Sequence, residues 1–250
     1  MNTDQVNQHA ICYGEILWDL LPDGPQPGGA PLNVAYHLNK LGVNTGIISK
    51  VGEDAGGLQL IKLLEKWGIG HQLLQRDEHY DTSEVRVKLN KQHEASYEIL
   101  YPVAWDFITP NENITEQIKA AGFLVYGSLS SRNKTSRDTL STLLENNLIK
   151  VLDINLREPH VKKSILKDLL KGAGIVKFNL SELKRCNLLF GSRYTQEADQ
   201  VSYLQEGFRI PEVIVTKGEA GASYYTDSAV YHAACPPIKV MDTKIGRAHV

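Results

Sequence analysis

Apolar and polar positions along the chain follow two alternating patterns, which together predict an α/β fold. Short, almost continuous apolar stretches predict strands at 10–17, 45–52, 121–129, 148–156, 174–179, 211–218 and 221–226. Between them, apolar residues spaced three and four apart predict helices at 31–42, 54–68, 131–147, 161–170 and 181–189. Strands that alternate with helices favour a doubly wound, mostly parallel sheet with helices on both faces.

Local signals predict where the first two helices begin and end. Pro31 suits the first turn of the first helix, and Gly42 suits its end. Asp54 can cap the second helix, and Gly68 can close it. The predicted buried stripe of this second helix consists of Leu58, Ile61, Leu64 and Trp67.

One segment departs from this rhythm. In "SEVRVKLNKQHEASYEIL", apolar residues alternate with polar ones on both sides of a polar turn at "NKQHEA". A period of two is typical of a hairpin with one solvated face, and a lone hairpin must cover something. We therefore predict a lid or a dimer surface rather than a part of the main sheet.

Composition narrows the class of protein. The net charge is −2 and there is no lysine–arginine run, so we expect neither a nucleic-acid nor a membrane partner. The three cysteines, Cys12, Cys186 and Cys235, form no CxxC pair, which fits free thiols in a reducing cytoplasm. Cys12 and Cys235, flanked by strand-like residues, are expected in the core. The first ten residues are polar and resemble no signal peptide.

Polar residues and glycines follow five of the predicted strands. They are Glu15, Asp19, Asp153, Asn155, Arg157, Asn179, Glu182, Thr216, Gly218, Gly221, Asp242 and Thr243. Ligands of open parallel sheets bind beyond the carboxyl ends of the strands. We therefore predict a binding site at this edge of the sheet.

The most specific stretch is "QPGGAPLNVA". Gly28 and Gly29 allow a tight turn and a close approach of a ligand to the backbone. Asn33 follows in the first helical turn, where its amide offers both a donor and an acceptor, as sugar hydroxyls require. A plain turn before a helix is the alternative interpretation.

These residues stand in a longer pattern. "GEILWDLLPDGPQPGGAPLNVAYHLNKLG", "ISKVGEDAGG", "YPVAWDFI", "LDINLR", "KFNLSEL" and "VTKGEAGA" occur in that order over residues 10–243. The set resembles the ribokinase-like (PfkB) carbohydrate kinases, and the fructokinase branch most. The resemblance implies a doubly wound α/β domain with a small β lid, here in segments 16–29 and 82–103. It also implies transfer of the γ-phosphate of ATP to a sugar hydroxyl.

The resemblance implies a role for several residues on the sugar side. Asp19, Gly28, Gly29 and Asn33 would hold sugar hydroxyls, and Asp19 is suited as a double acceptor. Lys50 and Gly52 would border the pocket. Trp105, also assigned to substrate binding, and Asp106 would lie where the lid returns to the main domain. An exposed loop acid is the alternative for Asp19.

On the phosphate side, the resemblance places Arg157 near the transferred group. Asn179 and Glu182 match an NxxE motif that organises Mg²⁺, with Glu182 acting through water. Thr216, Gly218 and Gly221 would line the nucleotide. The alternatives are a surface salt bridge for Arg157, a first-turn helix acid for Glu182 and a hairpin turn for the glycines.

The chain ends where the family's catalytic turn would begin. Asp242 and Thr243 would open that turn, and the family's base aspartate would fall near Ala248, which cannot accept a proton. We therefore expect residues 1–250 to be an incomplete kinase domain without its nucleotide-binding end after 243, inactive as it stands. A truncated reading of a longer gene and a short paralogue without catalysis both remain open.

The expected function is that of an ATP-dependent sugar kinase, with D-fructose as the first expected substrate. ATP and Mg²⁺ are the expected cofactors, and K⁺ is a further candidate. A homodimer through the lid sheet is also considered. The alternatives are a non-catalytic sugar-binding paralogue, or a kinase for another sugar, a sugar acid or a nucleoside.

Overall fold

The computed structural model describes residues 9–21, 24–89 and 95–236, with the backbone alone at 86–89 and 95–97. The strands of these residues are β1 (His9–Tyr13), β2 (Leu17–Leu21), β3 (Gly24–Gly28), β4 (Asn44–Gly52), β5 (Leu74–Asp77), β6 (Ser83–Leu89), β7 (Ala95–Ile99), β8 (Phe123–Gly127), β9 (Ile149–Asp153), β10 (Ile175–Asn179), β11 (Glu212–Thr216), β12 (Ala222–Tyr225) and β13 (Val230–Ala233). The helices are α1 (Ala30–Lys40), α2 (Ala55–Trp67), α3 (Glu112–Ala120), α4 (Lys134–Leu143), α5 (Lys163–Leu170), α6 (Leu180–Phe190) and α7 (Glu197–Phe208).

The strands form two sheets. The larger has nine strands in the order β13-β12-β11-β10-β9-β8-β1-β4-β5. The pairs β1–β4, β4–β5, β9–β10 and β10–β11 are parallel, whereas β11–β12 and β12–β13 are antiparallel. The predicted α/β class with a mostly parallel sheet is therefore confirmed.

The smaller sheet has four strands in the order β3-β2-β6-β7. β6 and β7 pair as an antiparallel hairpin with Val85 opposite Ile99, as the alternating pattern predicts. β2 joins the hairpin in parallel, and β3 pairs with β2. Segments 16–29 and 82–103 thus supply the strands of a separate sheet. That this sheet closes over a ligand stays a prediction.

The described residues divide into two compact units. The first unit consists of 9–125 and 130–148, and the second consists of 126–129 and 149–236. The first carries the sugar-side residues of the sequence analysis, and the second carries the phosphate-side residues.

Helix α2 shows which local signals hold and which fail. Asp54 accepts a hydrogen bond from the Gly57 amide at 2.7 Å, and Gly68 closes the helix with φ 70°, both as predicted. The predicted stripe is wrong in part, because Leu58 is 47% exposed, whereas Leu60, Leu64 and Trp67 are buried. A Cβ on Gly57 would stand 2.2 Å from the Gly52 carbonyl oxygen. This close approach to β4 fixes the rotation of the helix.

Several elements were not predicted, and one prediction was too long. The strand expected at 10–17 divides into β1 and β2 around Gly14, which adopts φ 137°. The pattern missed β3, β5, α3, α7 and β13, and all of β2 except Leu17. α3 buries only Ile114 and Ile118, and β13 is exposed throughout, so neither shows a clear apolar period.

The core holds one of the two cysteines predicted there. Cys12 is fully buried, and burial raises the pKa of its thiol to about 12. Cys235 is half-exposed, so its placement in the core was wrong. None of the helices that the structure describes has both the length and the apolar character to cross a membrane.

Candidate active site

Asp19 lies in the middle of β2, opposite Gln26 of β3 and beside Val85 of β6. Asp19 was predicted at the end of a main-sheet strand, but the chain leaves that sheet at Gly14, and Asp19 lies on the small sheet. A Cβ on Gly28 would stand 2.8 Å from Asp19 Oδ2. The Asp19 carboxylate therefore lies directly against the backbone of the glycine turn.

Gly29 joins β3 to α1 in a conformation that other residues rarely adopt. Its φ is 113°, and a Cβ there would stand 2.3 Å from the Glu15 carbonyl oxygen. The Gly29 carbonyl accepts a hydrogen bond from the backbone N–H of Asn33 at 3.0 Å, which is the first hydrogen bond of the helix. The glycine thus brings the start of α1 against the chain that follows β1.

Asn33 projects a polar atom that the described chain does not satisfy. Its Oδ1 is buried and has no hydrogen-bond partner among the described residues. An unmet buried acceptor costs about 1–3 kcal/mol, so such an atom calls for an external donor. A hydroxyl group or a bound water is a donor of the right kind.

Lys50 is held by the protein itself. Its Nζ lies 2.6 Å from Asp77 Oδ2 and donates to the Phe107 carbonyl at 3.2 Å. Burial would raise the pKa of Asp77, but hydrogen bonds from Lys50 and from the His79 and Tyr80 amides outweigh it and lower the pKa. Lys50 therefore cross-links β4, β5 and the turn at Ala104–Phe107.

Trp105 is also enclosed. Its ring is fully buried, and the guanidinium of Arg132 lies 4.0 Å from its centroid. Arg132 pairs with Asp106 through Nε–Oδ1 at 2.7 Å and Nη2–Oδ2 at 2.8 Å. Arg132 was not among the predicted site residues, although it lies shortly after the carboxyl end of β8, where polar residues of a binding edge are expected.

In the second unit, Asn179 and Glu182 cap α6 reciprocally. Asn179 Oδ1 accepts the Glu182 amide at 2.9 Å, and Glu182 Oε2 accepts the Asn179 amide at 2.8 Å. Glu182 Oε1 accepts the Leu156 amide at 3.2 Å. This geometry matches the alternative of a first-turn helix acid. It leaves each carboxylate oxygen a second lone pair for a water or ion.

Glu182 is buried beside charged neighbours. Burial raises its pKa, with Asp153 acting in the same direction and Lys177 and the backbone amides opposing. Lys177 Nζ pairs with Asp153 Oδ1 at 2.9 Å. No group of three or more acidic, histidine or cysteine side chains that could bind a metal directly occurs in the described ranges. Whether Glu182 holds a cation through water stays a prediction.

Arg157 follows β9 and is exposed. Its Nη1 contacts the Leu156 carbonyl at 3.4 Å. Within the part of the chain that the structure describes, no carboxylate lies within 4 Å of it to form a salt bridge. Asn155, two residues earlier, adopts φ 38°, which turns the chain after the strand. The guanidinium is thus available to an anion.

The two glycines of the Thr216–Gly221 turn have different surroundings. A Cβ on Gly221 would stand 1.9 Å from the Ala233 carbonyl oxygen, so this glycine serves the packing of β13. Gly218 has φ 58° and open space where a Cβ would stand. Thr216 donates to the Phe178 carbonyl at 3.3 Å. Gly218 is therefore the better candidate for contact with a ligand.

The remaining predicted positions, Asp242, Thr243 and Ala248, lie outside the described residues. The two sets of candidate residues that the structure describes each occur within one unit. Asp19, Gly28, Gly29 and Asn33 come together around β2, β3 and the start of α1. Lys50 is instead bound to Asp77 and to the Phe107 carbonyl, and the buried ring of Trp105 lies against Arg132.

Comparison with known proteins gives consistent matches. Residues 24–244 match the family described as "pfkB family carbohydrate kinase". The fructokinase of Escherichia coli is 28% identical over 246 residues, covering 92% of this chain and 78% of that protein.

Solved structures agree. An uncharacterized sugar kinase from Pyrococcus horikoshii in complex with ATP superposes with a TM-score of 0.78 and 25% identity, covering 94% of this chain and 79% of that one. The apo fructokinase of Vibrio cholerae O395 gives a TM-score of 0.75 and 26% identity, covering 90% and 80%. Since the family match spans most of its length, the chain belongs to the pfkB family of carbohydrate kinases.

Proposed function

We propose that the protein is an ATP-dependent fructokinase, which converts D-fructose and ATP to fructose 6-phosphate and ADP. The observation that carries the proposal is the buried Asn33 Oδ1, which lacks a partner among the described residues at the start of α1. The fructokinase of Escherichia coli supports fructose as the first substrate to test.

The sugar side of the proposed site combines acceptors with exposed backbone. The Asp19 carboxylate can accept from two hydroxyls, and the Asn33 amide can both accept and donate. Gly28 carries no side chain that would displace the Asp19 carboxylate. These groups would hold the sugar in one orientation.

The phosphate side rests on Arg157, Glu182 and the turn around Gly218. The exposed Arg157 guanidinium would offset negative charge on the transferred group. Glu182 and Asp153 would hold the waters of Mg²⁺, which when bound neutralises phosphate charge. The backbone at Thr216 and Gly218 would line the nucleotide. We also propose that Asp242 and Thr243 contact this nucleotide.

Three further features belong to this proposal. The free thiols fit a reducing cytoplasm, where ATP is available. A homodimer through the β3-β2-β6-β7 sheet would satisfy the strand edges that the sheet leaves open. K⁺ would act as a monovalent activator. Light scattering and an assay with and without K⁺ test the last two.

Two measurements on the same preparation test the function. Calorimetry compares the binding of D-fructose, D-ribose, a nucleoside and a keto-deoxy sugar acid, and product analysis after incubation with ATP and Mg²⁺ detects phosphorylation. Asn33→Ala is expected to abolish fructose binding. The matched control is Asn39→Ala on the same helix, where the amide donates to Gly68 at 3.1 Å.

Each outcome has a distinct meaning. Fructose 6-phosphate that forms at a rate dependent on ATP supports the proposal. Preference for another compound reassigns the substrate. Binding of fructose without phosphorylation supports the sugar assignment and is the outcome expected of a chain in which Ala248 stands where the family's base aspartate would fall. Absence of binding to all four compounds overturns the proposed function.

A further inference from the structure

The chain that leaves β7 is fastened to α4 by side chains of that helix. We call residues 100–109 the return segment. Ser136 Oγ donates to the Trp105 carbonyl at 2.8 Å and accepts from the Ile108 amide at 2.9 Å. Thr139 Oγ1 donates to the Ile108 carbonyl at 2.8 Å. The second half of the return segment is thus bound along the helix.

Arg132, two residues before α4, binds the first half. Its guanidinium forms two parallel hydrogen bonds to Asp106, and Nη2 also donates to the Leu100 carbonyl at 2.6 Å. Asp106 Oδ2 in turn accepts the Val103 amide at 3.0 Å. One side chain therefore ties both ends of the stretch from Leu100 to Asp106 together.

This pair is deeply buried. The side chains of Arg132 and Asp106 are 2% and 0% exposed, and the guanidinium lies over the Trp105 ring. Neither side chain can touch a substrate in this arrangement. A buried ion pair often adds little to the free energy of unfolding, and its role can instead be to specify a conformation, here that of the return segment.

The pairing of strands in the small sheet connects the return segment to Asp19. Leu100, which Arg132 binds, directly follows Ile99 at the end of β7. Ile99 pairs with Val85 of β6, and Val85 pairs with Asp19 of β2. A continuous backbone hydrogen-bonded ladder therefore leads from the Arg132 contact to the candidate sugar ligand Asp19, entirely within the first unit.

We propose that Arg132 is a positioning residue for the sugar site, which fixes the exit of β7 and, through β6 and β2, the location of the Asp19 carboxylate. The inference rests on the proposed function, because it assigns Asp19 to the sugar. Arg132 acts here without contact to the substrate. Its planar fork is required, since lysine keeps the charge but cannot pair with both Asp106 oxygens and Leu100.

The test compares two variants of similar expected destabilisation. Arg132→Lys weakens the fork, whereas Leu140→Ala shortens a buried apolar side chain of α4 that has no polar group to bond the return segment. We expect Arg132→Lys to raise the dissociation constant for D-fructose about tenfold, and Leu140→Ala to leave it unchanged. If Arg132→Lys fails to fold, Arg132→Gln at lower temperature replaces it. Equal effects of the two substitutions on fructose affinity contradict the inference.

Hydrogen exchange separates this inference from the proposed function. In the sugar-free protein, Arg132→Lys is expected to accelerate exchange of the amides at 98–106 relative to both wild type and Leu140→Ala. If the wild type binds no sugar, the proposed function fails, and this comparison alone decides whether Arg132 fixes the return segment. Unchanged exchange at 98–106 then overturns that role as well.

Discussion

The Asp19 carboxylate lies so close to Gly28 that a methyl group on this glycine would stand 2.8 Å from Asp19 Oδ2. The same methyl would stand 2.9 Å from Leu17 Cδ1. Both atoms are the ends of side chains, so they can move aside without a shift of the backbone. A methyl group on Gly28 would therefore change the orientation of the Asp19 carboxylate and not the path of the backbone.

Gly28→Ala is expected to weaken fructose binding about tenfold while lowering the free energy of unfolding by no more than about 1 kcal/mol. The reason is that the added methyl displaces the Asp19 carboxylate rather than the chain. Calorimetry and urea unfolding measure the two quantities. The control is Gly207→Ala in α7, where a Cβ meets no atom within 4 Å. Unchanged fructose affinity in Gly28→Ala would argue against a role of Asp19 in the site.

Gly29→Ala, unlike Gly28→Ala, is expected to act mainly on stability, with a loss of about 3 kcal/mol in the free energy of unfolding. Here the added Cβ would stand 2.3 Å from a backbone oxygen, that of Glu15, and the φ of 113° is itself unfavourable for alanine. Gly68→Ala serves as the comparison, because its φ is 70° and no atom lies nearby. That substitution is expected to cost about 1 kcal/mol. Similar losses for the two variants would contradict the close approach at Gly29.

The sequence predicts those features that depend on neighbours in the chain. The cap at Asp54, the close at Gly68 and the hairpin of β6 and β7 follow from short-range preferences, and the structure contains all three. The α/β class follows from the alternation of periods and is likewise confirmed. The rotation of α2 does not follow from its period, since the contact between Gly57 and Gly52 decides it.

The long-range pairs could not be predicted from the sequence. Lys50 and Asp77 are 27 positions apart, and Arg132 and Asp106 are 26 apart, so no local pattern joins them. The sequence identified Lys50 but not its partner, and it identified Asp106 but not Arg132. Lys50, which the resemblance placed at the border of the pocket, and Asp106, which it placed at the return of the lid, are both bound within the protein.

Asp77→Asn is expected to lower the free energy of unfolding by about 2 kcal/mol at pH 7, because Lys50 loses a charged partner at a largely buried site. The pKa of Asp77 is lowered in the folded state, so its contribution is fully present above the unfolded value of about 3.9. That contribution is lost as the pH falls through the lower folded pKa.

Urea unfolding at several pH values between 3 and 7 tests this expectation for Asp77. The difference between wild type and Asp77→Asn is expected to shrink below about pH 4. The exposed Asp138 of α4, which pairs with Lys134 at the surface, gives the control Asp138→Asn. That variant is expected to differ from wild type by less than about 0.5 kcal/mol at every pH. A difference for Asp77→Asn that grows as the pH falls is incompatible with its lowered pKa.

Glu182 is expected to show the opposite pH dependence. Burial raises its pKa in the folded state, so the folded protein favours the protonated acid more than the unfolded chain does. Stability is therefore lost as the pH rises from the unfolded value of about 4.3 through the raised folded pKa. Glu182→Gln has no such titration, so the stability of wild type relative to this variant should be greater at pH 5 than at pH 7.5.

Urea unfolding of both proteins across this interval measures that difference, with Glu158→Gln as the control at an exposed acid. The slope of the free energy of unfolding against pH has opposite signs for the two acids. Asp77 is an ion-pair partner whose charge stabilises the fold, whereas the Glu182 charge is held against burial by two backbone amides. A cation bound near this carboxylate would stabilise its charged form. Mg²⁺ with ATP is then expected to stabilise wild type more than Glu182→Gln, and equal stabilisation would remove Glu182 from the proposed phosphate side.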